Sequence, residues 1–95
     1  MINFLNNSSE KPFEILKDKY NEALLKDQSS IEAMSISSFD ACTNEVNSRF
    51  VNIKYVESNN LIFFTNYSSP KSIEFASHNQ IAALFYWEKI NTQIR

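Results

Sequence analysis

The chain has 95 residues, of which 43% are apolar and 14% aromatic, so we expect one small folded domain over residues 1–95 rather than a disordered segment. A net charge of −2 and a pI near 5.3 argue against a protein that binds nucleic acid by neutralising phosphates. The single cysteine, Cys42, cannot form an internal disulfide, and the absence of glycine excludes the glycine-rich loops that bind dinucleotides and nucleoside triphosphates.

Targeting and membrane signals are missing from the sequence. No stretch reaches the roughly 18 apolar residues that a transmembrane helix needs. Residues 1–7 lack a basic start and a long apolar run, so no signal peptide is predicted. We therefore expect a cytoplasmic protein that binds neither membranes nor nucleic acid.

An amphipathic helix is predicted over residues 12–26. Pro12 suits the first helical turn, and Glu14 is favourable near the positive end of the helix dipole. One face collects the apolar residues that recur at helical spacing, namely Phe13, Leu16, Tyr20, Ala23 and Leu24. We interpret this face as a packing surface.

Strands dominate the rest of the chain. They are predicted over residues 31–39, 50–56, 61–65, 81–87 and 91–95. Met34 and Ile36 share one face of the first, with serines opposite, and the unbroken apolar run 61–65 predicts a strand buried on both faces. Polar residues 40–48 predict a turn region, residues 57–60 a hairpin turn, and residues 69–77 a short helix.

A candidate anion site lies between Arg49 and Lys71. Thr65 ends a predicted strand, and Ser69 caps the short helix that carries Lys71. Helix N-termini present N–H groups to anions, and the planar guanidinium of Arg49 could bind a phosphate through two hydrogen bonds. An ordinary capped helix with a solvated lysine would give the same pattern.

Four segments in order resemble the pyridoxamine 5′-phosphate oxidase family. They are the strand from Arg49 to Lys54, the run from Leu61 to Lys71, the strand from Ala82 to Trp87 and the segment Thr92–Arg95. The resemblance covers about residues 12–95 and the N-terminal portion of the family. It implies a mainly β, α+β fold, a partial split β-barrel. It also implies FMN at a homodimer interface and oxidation of pyridoxamine or pyridoxine 5′-phosphate to pyridoxal 5′-phosphate.

The resemblance also implies roles for individual residues. Arg49 and Lys71 would hold the FMN phosphate, with Ser69 at the helix start beside them. The flavin would further contact Val51, Asn52, Ile53, Lys54, Phe64, Thr65 and Gln93. Lys54 would also bind the substrate phosphate. Arg49 and Lys54 are five residues apart, so a regular strand would point them to opposite faces unless it twists, bulges or ends before one of them.

Several positions depart from the family pattern. Pro70 replaces an arginine beside Lys71, Val46 replaces a proline, and Thr92 replaces the first arginine of the last segment. The family continues where this sequence ends, so we expect an exposed sheet edge that a homodimer could cover, and weak or absent oxidase activity. No residue is predicted to act as a catalytic acid, base or nucleophile.

Two reactive side chains and two other functions complete the sequence predictions. A structural role is expected for His78 at a helix end and for Cys42 in a polar turn, and no spacing of ligands predicts a metal site. The first alternative function is a non-catalytic remnant or dimerisation module. The second is a split-barrel protein that binds flavin, or degrades haem, and acts on another substrate.

Overall fold

The computed structural model describes residues 1–65, 76 and 78–95. These residues form one long helix and seven strands, arranged in two sheets. The helix α1 is Lys11–Leu25, and the strands are β1 Asn3–Leu5, β2 Ala33–Asp40, β3 Glu45–Asn52, β4 Tyr55–Glu57, β5 Asn60–Ile62, β6 Ile81–Trp87 and β7 Thr92–Ile94. One sheet has the antiparallel order β3-β2-β6-β7, and the other has the order β1-β4-β5. The mainly β prediction with an N-terminal helix is confirmed, and the two described sheets do not close into a barrel, as a partial split barrel requires.

The helix α1 matches its prediction to within one residue at each end. Pro12 stands in its first turn, where a missing N–H costs nothing. The buried residues of its apolar face are Leu16, Tyr20 and Ala23. The hydroxyl of Tyr20 accepts a hydrogen bond from the backbone N–H of Ile2 at 2.9 Å, which ties the start of the chain to the helix.

The core is shared by α1 and both sheets. Its largest fully buried side chains are Trp87, Phe85, Ile36 and Ile53. The Trp87 ring stacks on Phe85 with ring centroids 4.9 Å apart. Burial of these side chains and their neighbours supplies the main stabilisation of the fold, because each large apolar side chain removed from water contributes about 1.5–3 kcal/mol.

The β2–β3 hairpin is longer than the sequence predicts. Met34 and Ile36 are buried on one face of β2, as predicted, but Ser38 follows them on that face and is 2% exposed. The predicted turn region over 40–48 is wrong, because only residues 41–44 form the turn and β3 begins at Glu45. Residues Glu45–Ser48 are exposed and, apart from Val46, polar, yet their backbones pair with β2 as far as Asp40.

The single strand predicted over residues 50–56 is also wrong. Strand β3 ends at Asn52, and β4 begins at Tyr55 in the other sheet. The backbone N–H of Ile53 donates to Glu32 at 2.9 Å, whereas that of Lys54 donates to Ile62 at 2.8 Å. Residues 53–54 therefore carry the chain from the four-stranded sheet to the three-stranded one.

The β4–β5 hairpin confirms the turn predicted over residues 57–60. Its two-residue loop places a positive φ of 53° at Ser58, a conformation that glycine or asparagine usually adopts. The strand predicted over 61–65 is wrong in extent and burial, because β5 ends at Ile62 and Phe64 is 73% exposed.

The final strands agree with the sequence. Strand β6 has the predicted bounds Ile81–Trp87, and β7 lies within the predicted segment 91–95. The helix predicted over 69–77 lies almost wholly outside the described residues.

Strand β1, which the sequence did not predict, pairs in parallel with β4. No helix in the described part of the chain is long and apolar enough to cross a membrane.

Candidate functional site

Arg49 lies on the core-facing side of the four-stranded sheet. It stands opposite Ile36 in the β2–β3 register and is half-buried. Its Nη1 donates to the Ser38 hydroxyl at 2.7 Å and, more weakly, to the Ile36 carbonyl at 3.4 Å. These two contacts hold the guanidinium against β2. They restrict its direction, and a planar guanidinium can bind a phosphate through two parallel hydrogen bonds.

The residues that follow Arg49 alternate between the two faces of β3. Val51 is buried on the same face as Arg49, and Ile53, just beyond the strand, is 1% exposed. Asn52 is exposed on the opposite, outer face of the sheet. Val51 and Ile53 therefore serve the core with their side chains, so any contact they make with a ligand would come from their backbones.

Lys54 occupies the link between the two sheets. Its side chain is exposed, while its backbone carbonyl accepts a hydrogen bond from the N–H of Asn3 at 3.0 Å. Because β3 ends two residues earlier, the alternation of side chains along that strand, which determines the face of Arg49, does not determine the face of Lys54. The structure therefore shows the arrangement in which one of the two residues lies beyond the strand end.

The next predicted residues follow β5. Phe64 and Thr65 are both exposed, and the Phe64 ring meets that of Tyr55 edge-on, with centroids 6.5 Å apart. Tyr55 opens β4, directly after Lys54. The Phe64 ring thus contacts β4, the strand that begins directly after Lys54. Ser69, Pro70 and Lys71 lie outside the described residues.

Gln93 lies apart from this group. It pairs with Tyr86 across β6 and β7, on the outer face of the four-stranded sheet. Asn52 is on the same face but on the opposite edge strand, about 14 Å away by three strand spacings. An open cavity of about 740 Å³ lies on this face between the two edges, and its walls include Phe50, Leu84 and Tyr86. The predicted residues therefore occupy both faces of one sheet.

His78 and Cys42 make local contacts. The His78 ring meets Phe39 edge-on at a centroid distance of 5.4 Å, and its Nδ1 accepts the N–H of Gln80 at 3.3 Å. Cys42 is exposed in the β2–β3 turn, where its N–H donates to the Asp40 carboxylate at 2.9 Å. These contacts build the turn and the approach to β6.

Curated relatives decide the family. A protein from Caulobacter vibrioides named pyridoxine/pyridoxamine 5′-phosphate oxidase is 33% identical over 88 residues, covering 93% of this chain. This chain belongs to the pyridoxine/pyridoxamine 5′-phosphate oxidase family. Relatives of the same name include one from Colwellia psychrerythraea, 44% identical over 64 residues and 67% of this chain. A third, from Hydrogenovibrio crunogenus, is 36% identical over 84 residues.

The match involves only part of each oxidase relative. The chain spans 39% of the length of the Caulobacter vibrioides protein and 29% of that from Colwellia psychrerythraea. No family model matches the chain. Among solved structures, PhzG from Burkholderia lata 383 aligns with a TM-score of 0.75 at 21% identity, over 80% of this chain and 37% of PhzG. This likeness supports the partial split-barrel fold of the oxidase family.

Two features of the site were not found from the sequence. The sequence predicts Ser38 on the polar face of β2, yet it lies on the core face against Arg49. The outer-face cavity has the exposed aromatic residues Phe50 and Tyr86 in its walls. A serine in a run of serines carries no local signal of its face, so only the alternation that starts at the buried Met34 could have placed Ser38.

Proposed function

We propose that this chain forms the FMN-binding part of a pyridoxamine 5′-phosphate oxidase, an enzyme that converts pyridoxamine or pyridoxine 5′-phosphate to pyridoxal 5′-phosphate. The observation that carries the proposal is the 33% identity to a relative of that name over 93% of the chain. The geometry is compatible with it, because two cations stand at different places on the β3–β4 segment, and the reaction involves two phosphate esters.

Arg49 would hold the phosphate of the cofactor. A guanidinium carries five N–H donors in a planar fork, so one nitrogen can keep protein partners while another binds an anion. The Nη1 bonds to Ser38 and Ile36 give the fork a fixed direction on the sheet. Lys71 and Ser69 would complete this phosphate site, as the resemblance implies.

Lys54 would bind the phosphate of the substrate. Its backbone is fixed to the three-stranded sheet by hydrogen bonds with Ile62 of β5 and Asn3 of β1, while its side chain is exposed. A lysine is a flexible point charge, so it attracts a phosphate without orienting it. When bound, FMN supplies the acceptor for the two electrons of the oxidation, and the residues of this chain bind and orient the two phosphates.

A homodimer would cover the outer face of the four-stranded sheet. The outer face of the four-stranded sheet exposes Phe50 by 76% and Tyr86 by 58% of their surfaces, with Val46 also exposed. Large apolar side chains in one region of a surface are typical of protein interfaces. A second copy on this face would cover the aromatic residues and enclose the cavity to which Asn52 and Gln93 are adjacent.

A second candidate function is an FMN-binding protein for another substrate. The aligned PhzG structure contains tetrahydrophenazine-1-carboxylic acid, so the same fold accepts a ligand that is not a phosphate ester. Under this alternative, Arg49 keeps its role toward the cofactor and Lys54 loses its role toward the substrate. A non-catalytic dimerisation module would need neither residue.

An oxidase assay with added FMN tests the proposal. We expect FMN binding with only weak conversion of pyridoxamine 5′-phosphate to pyridoxal 5′-phosphate, and Lys54→Ala to raise KM more than it lowers kcat, because Lys54 binds substrate. Lys26→Ala, an exposed charge just after α1, is the matched control. Turnover that is insensitive to Lys54, or a chain that binds no FMN, would contradict the proposal and favour the alternatives.

A further inference from the structure

Ser38 is a buried hydroxyl that follows two apolar side chains on the core face of β2. The side chains that precede it on this face of β2, Met34 and Ile36, are 4% and 1% exposed, and Ser38 is 2% exposed. Its partner in the β2–β3 register is Asn47, and its partner in β6 is Ile81. A hydroxyl at this position destabilises the folded protein unless it is hydrogen-bonded, because a buried polar group without a partner costs about 1–3 kcal/mol of folding free energy.

The buried Ser38 hydroxyl accepts a hydrogen bond from Arg49. Arg49 on β3 stands opposite Ile36, so Ser38 is the diagonal neighbour of Arg49 on β2. The Nη1 of Arg49 lies 2.7 Å from the Ser38 Oγ. This is shorter than the 3.4 Å contact of the same nitrogen with the Ile36 carbonyl. Of these two contacts of Nη1, the one with Ser38 is therefore the closer.

We propose that Ser38 is a positioning residue that orients Arg49 for the phosphate of the cofactor. The proposal rests on the proposed function of Arg49. An arginine side chain has several rotatable bonds, and a ligand that binds a disordered guanidinium must first order it. A buried acceptor on the neighbouring strand supplies that order in advance, because β2 is fixed by pairing with both β3 and β6.

The positioning role of Ser38 predicts a difference between flavins with and without a phosphate. Ser38 should matter for flavins that carry a phosphate and not for those that lack it. We expect Ser38→Ala to weaken FMN binding about three- to tenfold, the loss associated with one hydrogen bond of ordinary strength. Binding of riboflavin, which has the same ring system without the phosphate, should be unchanged.

Flavin fluorescence titrations of the purified chain test this proposal. Ser38→Thr and Ser38→Val add nearly the same bulk, but only threonine keeps the hydroxyl, so Thr should retain FMN affinity and Val should lose it. Ser37→Ala is the matched control, because Ser37 is the neighbouring residue of β2 on the outer face, where its hydroxyl meets that of Ser48 at 2.6 Å. Thermal melting of each variant checks that it is folded.

The outcomes separate this inference from the function on which it rests. If the wild-type chain binds FMN and both Ser38→Ala and Ser38→Val bind it equally well, the positioning role is wrong and the proposed function stands. Equal losses for FMN and riboflavin would show a structural role only, and would also overturn the inference. A wild-type chain that binds no FMN would overturn the proposed function and this inference together.

Discussion

The indole Nε1 of Trp87 donates a hydrogen bond to the backbone carbonyl of Ile31 at 2.9 Å, although 56 residues separate them in the sequence. Trp87 ends β6, and Ile31 precedes β2, its neighbour in the sheet. Trp87 is 1% exposed and also meets the Tyr20 ring of α1 edge-on, with centroids 6.0 Å apart. One side chain thus joins the helix, the central strands and the segment between them.

Trp87→Phe should therefore destabilise the protein. The substitution removes the donor to Ile31, leaves part of the indole volume empty, and should lower the free energy of unfolding by about 2–3 kcal/mol. Urea denaturation followed by circular dichroism measures the change. Tyr86→Phe is the control, because Tyr86 lies on the outer face and should shift stability by less than about 0.5 kcal/mol. Equal stability of both variants would contradict the central place of Trp87.

Removal of the Arg49 side chain should weaken FMN binding. The loss of a charge-assisted, two-bond contact with phosphate is worth about 1.5–3 kcal/mol, or about ten- to a hundredfold in affinity. Quenching of FMN fluorescence on titration with the Arg49→Ala variant measures this loss. Lys26→Ala, which removes an equal charge at the end of α1, should bind as the wild type does. Unchanged affinity of Arg49→Ala would remove this residue from the phosphate site.

The outer sheet face should hold two copies together. Phe50 is 76% exposed on that face, on the edge strand β3, so Phe50→Glu should place a charge in the interface and convert a dimer at tens of micromolar to a monomer. Sedimentation velocity distinguishes the two states. Leu25→Glu, at the end of α1 with 84% exposure, is the control and should stay dimeric. A folded wild-type monomer, or a dimer that Phe50→Glu leaves intact, would argue against this interface.

The elements that could be predicted from the sequence are those in which one hydrophobic pattern runs the whole length of the element. The helix α1 and strand β6 are of this kind, because their apolar residues repeat without interruption and polar residues bound them. The resemblance to the oxidase family was likewise carried by residues close together in sequence, from Arg49 to Lys54 and from Leu61 to Lys71.

Features set by distant partners were not predictable in this way. The alternation of Val51, Ile53 and Tyr55 continues through residues 53–54, so the sequence does not show that the chain changes sheets there. Strand β1 has three residues and pairs with β4 some fifty residues later, too short a segment to show a period. The face and partner of Ser38 depend on the register between β2 and β3.

The central claim is that this chain binds FMN through its phosphate, and a paired titration with FMN and riboflavin tests it most directly. Fluorescence quenching of both ligands by the wild-type chain gives the two dissociation constants under identical conditions. The account predicts that FMN binds at least about tenfold more tightly, since only FMN offers Arg49 an anion. Equal affinities for the two ligands, or no binding of FMN, would contradict it.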